Sequence, residues 1–481
     1  MTLRVALVNP PFLPDYSRGQ RSPAVTRSGT LYYPMWLAYA AAHVRRLGHT
    51  PLLIDAPASR LSESETLDRL NQFAPQVVLV ETATPSIVND LHFASRVKVN
   101  GNEKLVYVCG THASALPGDC LREAPEIDGV IYGEYEVPLE EIVRCLQQGR
   151  RVPIGEGICS RGGEQKRERL RFLQNMDDGP FVSEIYKEFL PIDRYFNPNA
   201  HYPMVALVSG RGCPYGCSFC VFPQTLMGRG YRQRSVDSLI AEFRWISHHL
   251  PHVKGVFLED DTFTTNKPRV LDFCEKLQRE NLPLTWTANA RADVDEETLR
   301  AMKNAKVRGL CVGFESGSQV ILDAMGKALT LEKMEAFAVA AQRAGVKVHG
   351  CFVVGFPQET PVTLQQTLQF ALRLPLDTAQ FYPLMVYPGT RAYAEAARTG
   401  MIAAPTFRDW LSPTGQHQCV VRNSRFTPQQ LVAFCNFARR RFYLRKSWLW
   451  RNFRLILTDA DERARVLRAA ATFSRHLLED R

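Results

Sequence analysis

No stretch of this sequence approaches the roughly 20 consecutive apolar residues of a membrane-spanning helix. The chain does not open like a secretory signal either, because the run from Leu3 to Val8 is short and is broken at once by Pro10 and Pro11. A cytoplasmic protein is expected. The Gly-x-Gly-x-x-Gly fingerprint of dinucleotide-binding folds follows none of the apolar runs. The net charge of +10 has its excess late in the chain, from Ala438 to Arg454, and accompanies no nucleic-acid-binding motif, so no nucleic-acid partner is expected. Cysteine is too sparse for a disulfide scaffold, at twelve in 481 residues. Its distribution, however, is uneven.

Cys213, Cys217 and Cys220 stand at C-x₃-C-x₂-C spacing in a stretch that Gly212, Pro214 and Gly216 bend sharply. Just before them, Pro203 to Val208 reads as a buried strand, which puts the thiols at a strand's C-terminal end. Parallel barrels place their chemistry on that face. Three thiolates from one short loop suit an iron–sulfur cluster with one iron left open to a small molecule. A zinc site, with His248, His249 or His252 as fourth ligand, is the competing reading of the spacing alone.

The chain beyond the cysteines alternates strand and helix patterns. Ser235 caps a helix with Val236, Leu239, Ile240, Phe243, Ile246 and Leu250 on one face. Strand-like runs follow at 255–258, 284–288, 309–312, 346–354 and 378–382, with helical stretches at 268–280, 296–303, 331–344 and 364–374 between them. That makes six strand–helix units, too few for a closed eightfold barrel. The runs end in Glu259-Asp260-Asp261, Asn289-Ala290-Arg291, Gly313-Phe314-Glu315-Ser316-Gly317 and Gly355-Phe356-Pro357, and Pro388-Gly389-Thr390 forms a later turn. Cys274, Cys311 and Cys351 fall inside helices or strands and read as small core residues.

Upstream, short apolar runs at 4–8, 51–55, 77–80, 105–108 and 129–132 alternate with helical patterns at 36–47 and 65–73. Alternating strand and helix argue for a parallel doubly wound sheet, which binds ligands beyond its C-terminal strand ends. The residues at those ends are Pro10 and Pro11, then Thr84 and Ser86, then Gly110, Thr111, His112 and Ser114, and finally Gly133 and Glu134.

Taken together, the cysteine motif with Phe219 before its last cysteine, the ordered strand-end motifs, and the Gly110-Thr111-His112 and Gly133-Glu134-Tyr135-Glu136 turns resemble the radical S-adenosylmethionine (SAM) family that carries an N-terminal cobalamin-binding domain. The resemblance covers nearly the whole chain. It implies an α/β protein with a Rossmann-like cobalamin-binding domain at 1–150, a linker at 151–200, a partial (β/α)6 TIM-type barrel at 201–400 and a C-terminal helical segment at 401–481. It implies a 4Fe–4S cluster on Cys213, Cys217 and Cys220, and SAM contacts from Phe219, Glu259, Asp260, Arg291, Glu315, Ser316, Gly355 and Phe356. Cobalamin contacts are implied for Pro10, Pro11, Thr84, Ser86, Gly110, Thr111, His112, Ser114, Gly133 and Glu134. One departure stands out. Many cobalamin proteins carry a cobalt-ligating histidine after the first strand, and here Asn9-Pro10-Pro11-Phe12-Leu13 has none. No lower-face histidine from this motif is expected.

The reaction implied is methylation of an unactivated carbon in a lipid-like or natural-product-like small molecule, through a 5′-deoxyadenosyl radical and methylcobalamin. The same cofactors would also serve a rearrangement, ring contraction or oxidative cyclisation, and a non-catalytic sensor is the reading from another class. An electron donor such as flavodoxin or ferredoxin is the implied protein partner, and the chain is expected to be monomeric. Three segments complete the picture. The polar stretch 20–30 is long enough to be functional and is expected to lie over the corrin ring or the substrate. The linker is expected to have hairpin character around Ile158 and Leu170. Two C-terminal helices are expected, the second with Trp448, Leu449, Trp450 and Phe453 among arginines, a pattern that suits peripheral contact with an anionic membrane. The stretch Tyr33-Pro34-Met35-Trp36-Leu37 weakly resembles hopanoid-associated members.

Overall fold

A computed structural model describes residues 2–101, 103–150, 156–161 and 170–446, with 448–450, 453, 457 and 463 beyond them. Two six-stranded sheets organise the chain. The first contains β1 (Arg4–Asn9), β2 (Thr50–Asp55), β3 (Val77–Thr82), β4 (Leu105–Gly110), β5 (Gly129–Ile131) and β6 (Ile158–Ser160) in the order β2-β1-β3-β4-β5-β6. All pairings are parallel except that of β6, which runs antiparallel to β5. Every residue of β3 is buried, which is why its sequence is a continuous apolar run and not an alternating one. Val5, Leu7, Val77 and Leu79 pack under the helix Met35–Arg46, while Ala6, Val8, Val78 and Val80 pack against Ile87–Val99 on the opposite face. Strand order reverses at β1, so the crevice of this doubly wound sheet opens at the ends of β1 and β3.

The second sheet begins with β7 (Met204–Leu207). A two-stranded ribbon, β8 (Gly210–Arg211) against β9 (Arg232–Gln233), then frames the cysteine loop, a feature that the sequence patterns did not announce. β10 (Gly255–Leu258), β11 (Thr285–Ala290), β12 (Val307–Glu315), β13 (Lys347–Val354) and β14 (Thr378–Pro383) follow. The order β14-β13-β12-β11-β10-β7 simply follows the chain, with all pairs parallel and β7 and β14 at the two edges, as a partial barrel requires. On β12, Phe314 packs against Phe337 and Phe370 of the outer helices. Its half-buried neighbours Cys311 and Gly313 point the other way, into the concave face, as His349 and Cys351 do on β13. Cys274 is a core residue as expected, but Cys311 and Cys351 are not: the strand period turns them into the barrel's interior.

The segment between the sheets does more than connect them. Ile158 pairs with β5 and not with Leu170, and residues 151–155 and 162–169 lie outside the described residues. A helix at Val182–Phe189, not apparent from the sequence pattern, brings Tyr186 to within 4.3 Å of the Tyr33 ring, and Tyr195 stacks on Tyr33 at 3.9 Å. Tyr33, Met35, Trp36 and Leu37 are thus buried packing residues between the two sheets and present nothing to a substrate. After the barrel, the helix Pro428–Tyr443 is capped by Thr427 and packs on β14, where the Tyr443 hydroxyl donates to Ala379 O at 2.8 Å. Of the second C-terminal helix, Leu449, Trp450, Phe453 and Leu457 are exposed, and Arg451, Arg454, Leu455 and Ile456 lie outside the described residues. Among the described residues no helix is long and apolar enough to cross a membrane.

Candidate cofactor sites

The cysteine loop is fastened mainly by its backbone; of its thiols, Cys213 Sγ touches Thr262 Oγ1 at 4.0 Å. At its base, Ser209 donates from N–H and Oγ to the Asp260 carboxylate at 2.6 and 2.7 Å, and Arg269 donates to Ser209 O at 3.1 Å. Gly212 has φ of +86°, and a Cβ there would lie 2.1 Å from Gly230 O, so only glycine fits the turn. Further on, Gln224 Nε2 reaches the carbonyls of Ser218 at 3.1 Å and Cys220 at 2.7 Å, the Ser218 N–H donates to Met325 O at 2.8 Å, and Arg391 donates to Gly216 O. Cys213, Cys217 and Cys220 are each half-buried. Burial pushes the Cys213 and Cys220 thiols up, so ionising them calls for a nearby positive centre such as the irons of a cluster. Among the described residues no three His, Cys, Asp or Glu side chains converge as they would on a single ion. Three thiols on one loop suit a cluster that takes one thiolate per iron.

Around this loop the carboxylates divide into two kinds. Asp260 spends both oxygens on Ser209 and braces the loop. Asp261, one residue on, accepts from Arg21 with Oδ1 at 3.0 Å and leaves Oδ2 buried without a partner. Glu259 accepts from Asn289 at 3.1 Å, and burial pushes its carboxyl up. Glu315 holds a left-handed backbone, φ +66°, with Oε1 on Lys327 Nζ at 2.9 Å and Oε2 buried without a partner. Ser316 is tied to Thr367 at 3.0 Å. Arg291 donates to the carbonyls of Lys327 and Ala328 at 3.1 and 3.2 Å and lies 3.6 Å above the Tyr215 ring, so it braces the loop from below. Phe219 and Phe356 meet edge to face at 5.9 Å beside Gly355, whose φ is +106°.

Two orphaned carboxylate oxygens next to three thiols form a site for a cation with hydroxyl groups, which fits the ammonium and ribose of SAM. The aromatic pair offers an apolar seat for a flat ring. The sequence marks Glu259-Asp260-Asp261 as a run of acceptors and the stretch 20–30 as a functional loop; the structure leaves the free oxygen on Asp261, and Lys327 carries no signal in the sequence. The adjacent acid was visible, but which of the two is spent on Ser209 is a matter of packing.

On the first sheet the strand ends are largely satisfied from within. Pro10 O accepts from Arg18 at 2.6 Å and Pro11 O from Asn89 at 2.8 Å. Ser86 Oγ donates to Asp90 at 2.6 Å, and Asp90 forms a fully buried pair with Arg18 at 2.7 Å. Gly110 is extended into a positive φ of +114°, where a Cβ would meet Thr82 O at 2.1 Å. Thr111, His112 and Ser114 are buried just after it, with Gly133 N–H donating to Ser114 Oγ at 3.0 Å. His112 Nδ1 lies 3.1 Å from Thr84 Oγ1, and its ring meets Phe407 edge-on at 5.0 Å. Burial lowers its pKa to about 4, so the ring is neutral. Neutral hydroxyls, amides and one neutral imidazole suit the amide-rich rim of a corrin.

After β1 the stretch Pro10-Pro11-Phe12-Leu13 carries no histidine, with Pro11 at the position where the motif has one, and the side chain of Asn9 at the strand's end is held by Asp55 at 2.8 Å and Arg18 at 2.7 Å. Glu134 is engaged by segments next to the cysteine loop. Its carboxylate accepts from Arg232 and from Leu173 N–H at 2.9 Å and lies 3.6 Å from Arg211, which also pairs with Glu136 at 2.7 Å. Arg211 is two residues before Cys213, so this buried quartet bolts the first sheet to the cysteine loop.

Residues 207–371 match the Radical SAM superfamily and residues 21–143 match the B12 binding domain. The chain is 32% identical to an uncharacterized methyltransferase of Pyrococcus horikoshii, PH0819, over 87% of this chain and 89% of that protein. Hopanoid C-3 methylase of Methylococcus capsulatus is a more distant relative, 23% identical over 76% of this chain and 69% of that protein. The fold is shared with the radical SAM methyltransferase TsrM of Kitasatospora setae, whose structure has cobalamin and a [4Fe-4S] cluster bound, at a TM-score of 0.70 and 16% identity over 99% of this chain and 100% of that one.

Proposed function

Because the chain belongs to the B12-binding radical SAM family, we propose that it methylates an unactivated carbon of a lipid-like or natural-product-like small molecule. Its cofactors are a 4Fe–4S cluster, SAM and cobalamin. When bound, the cluster supplies the electron that cleaves SAM, and the corrin supplies the methyl group.

The protein's own residues supply place and shielding. Cys213, Cys217 and Cys220 hold the cluster, and Asp261 and Glu315 receive the polar ends of SAM. Lys327 holds Glu315 in place. Asn289, Cys311, His349, Cys351 and Gln380 line the concave face between the sheet and the site. Burial holds His349 neutral, with a pKa of about 4, so these side chains add no charge of their own beside Glu259, Glu315, Lys327 and Arg21. The single observation that carries the reading is near-full-length likeness to a relative named a methyltransferase. The exposed Leu449, Trp450, Phe453 and Leu457, close to the exposed Arg440, Arg441 and Lys446, support delivery of a lipid-like substrate from an anionic bilayer surface. A small redox protein such as flavodoxin or ferredoxin is the proposed reductant.

Anaerobic turnover with methyl-deuterated SAM, cobalamin and candidate lipid extracts tests the proposal. A product heavier by one labelled methyl group is expected, together with reductant-dependent 5′-deoxyadenosine. A product without the label points to rearrangement or cyclisation and overturns methylation. Absence of 5′-deoxyadenosine under every condition would leave a sensor.

A further inference from the structure

We infer that Arg21, a residue of the B12 binding domain, completes the SAM site on the barrel by holding Asp261 so that its free oxygen receives the SAM ammonium group. The inference rests on SAM binding at the cysteine loop and is independent of whether the reaction is a methylation.

The segment 17–24 folds into a small closed loop. Ser17 N–H donates to Ala24 O at 3.3 Å, and Gln20 Nε2 reaches Ser17 O and Ala24 O at 3.3 and 3.4 Å across its inside. Arg21 and Ser22 are left at the tip. Ser22 Oγ is fixed by His417 Nε2 at 2.9 Å and by the Tyr387 hydroxyl at 3.2 Å, both from elements that follow the barrel. The tip therefore enters the barrel's mouth at a set height, and Arg21 crosses from one sheet's territory to the other's. Its Nη2 donates to Asp260 O at 3.1 Å and to Asp261 Oδ1 at 3.0 Å, and lies 3.4 Å from Glu259 O. Its Nη1 lies 3.6 Å from Glu259 Oε2, and its guanidinium sits 5.0 Å from the centre of the Phe222 ring, just past the last cysteine.

The arrangement divides the Asp261 carboxylate. Oδ1 and two backbone carbonyls are committed to one guanidinium nitrogen, Nη2, which holds Oδ1 on the Arg21 side. Oδ2 remains buried with no partner among the described residues, an expensive state for a charged oxygen unless a donor arrives. A primary ammonium is the donor that matches: a compact cation with several hydrogens that can take Oδ2 without displacing Arg21 from Oδ1. Arg21 is thus a positioning residue. Its place on the corrin-binding domain means that the SAM pocket is complete only when the two sheets are docked.

The test uses the full chain reconstituted with cluster and cobalamin, with iron and corrin content measured on each sample. It is titrated with SAM and with 5′-methylthioadenosine, which keeps the adenosine and lacks the amino-acid portion. Arg21→Ala is expected to weaken SAM about tenfold or more and to leave methylthioadenosine within about twofold. Arg21→Lys is expected to fall between: its ammonium can take Oδ1 as Nη2 does, but on a shorter side chain and without the Nη1 approach to Glu259 Oε2. Unchanged SAM affinity overturns the inference, and so does equal weakening of both ligands, which would mark Arg21 as merely structural. If Arg21→Ala loses iron or corrin, Arg21→Lys is judged by the same two-ligand criterion. Failure of the unsubstituted protein to bind SAM would overturn the SAM assignment itself, a result distinguishable because it needs no substitution.

Discussion

The two sheets treat their ligand-side strand ends in opposite ways. At the ends of β1 and β3, buried charge is neutralised from within: Asp90 takes Arg18, Ala83 N–H and Ser86 Oγ, and Asn9 is held from both sides. At the ends of β10 and β12, acceptors are left open: Asp261 and Glu315 each keep one buried oxygen without a partner. The difference follows from what each site must hold. A corrin is large, and its many neutral amides can be met by shape, small residues and hydroxyls. SAM is small and cationic, so its site has to store unspent negative charge. The cost of that charge in the free protein is offset where Arg21 and Lys327 stand beside it.

The contrast can be broken most severely at the cysteine loop. Cys217→Ala is expected to lower reductant-dependent 5′-deoxyadenosine by at least about a thousandfold, with loss of the cluster, because nothing else in the loop replaces a thiolate. Iron content and product assay check it, and a variant that retains both would remove the cluster from Cys217. A paired substitution then sharpens the comparison. Asp90→Asn strands a buried arginine and is expected to cost about 3–5 kcal/mol of stability. Asp261→Asn is expected to change stability little while weakening SAM by about 10- to 100-fold, the worth of one charge-assisted hydrogen bond. Denaturant melts and SAM titrations on the same two proteins decide the matter, and exchanged effects would sink the division proposed above.

The smallest effect concerns Glu81 at the end of β3, the exception among the described residues of the first sheet in that its carboxylate keeps a buried oxygen without a partner. It accepts from the Tyr135 hydroxyl at 3.0 Å, and burial raises its pKa to about 7. The folded protein therefore holds a proton there that the unfolded chain releases above roughly pH 4.3. Stability falls as pH rises from that value through about 7 and stays lower above it. Glu81→Gln is expected to be more stable than the parent by about 2 kcal/mol near pH 8, with the gap closing near pH 4. A pH-independent difference would show that Glu81 is ionised throughout.

Much of the molecule was legible in the chain. The strand runs were recognised because parallel strands buried on both faces are apolar nearly end to end. The cysteine loop was legible because cluster binding fixes both residue type and spacing within a dozen residues. The Gly110 turn could be read because backbone there leaves no room for a side chain. Less was legible where a residue's role depends on a distant partner. Glu134 stands in a turn that suggests a corrin contact, and the structure spends its carboxylate on Arg232 and Leu173 N–H, with Arg211 alongside. Cys311 and Cys351 look like core cysteines, and strand phase turns them inward to the barrel.

By itself, then, the sequence determined the two α/β halves, the thiols and the order of the strand-end motifs, all of which are local: a period, a spacing, a turn. The tertiary structure alone decided which of Glu259, Asp260, Asp261 and Glu315 keep an oxygen free, and that Arg21 and Arg211 tie the halves together. Those outcomes depend on which donors arrive from other elements, from Lys327 at Glu315, twelve residues away, to Arg21 at Asp261, 240 residues away. Hydrogen-bond satisfaction in a buried site is a property of the assembled neighbourhood and not of any segment within it.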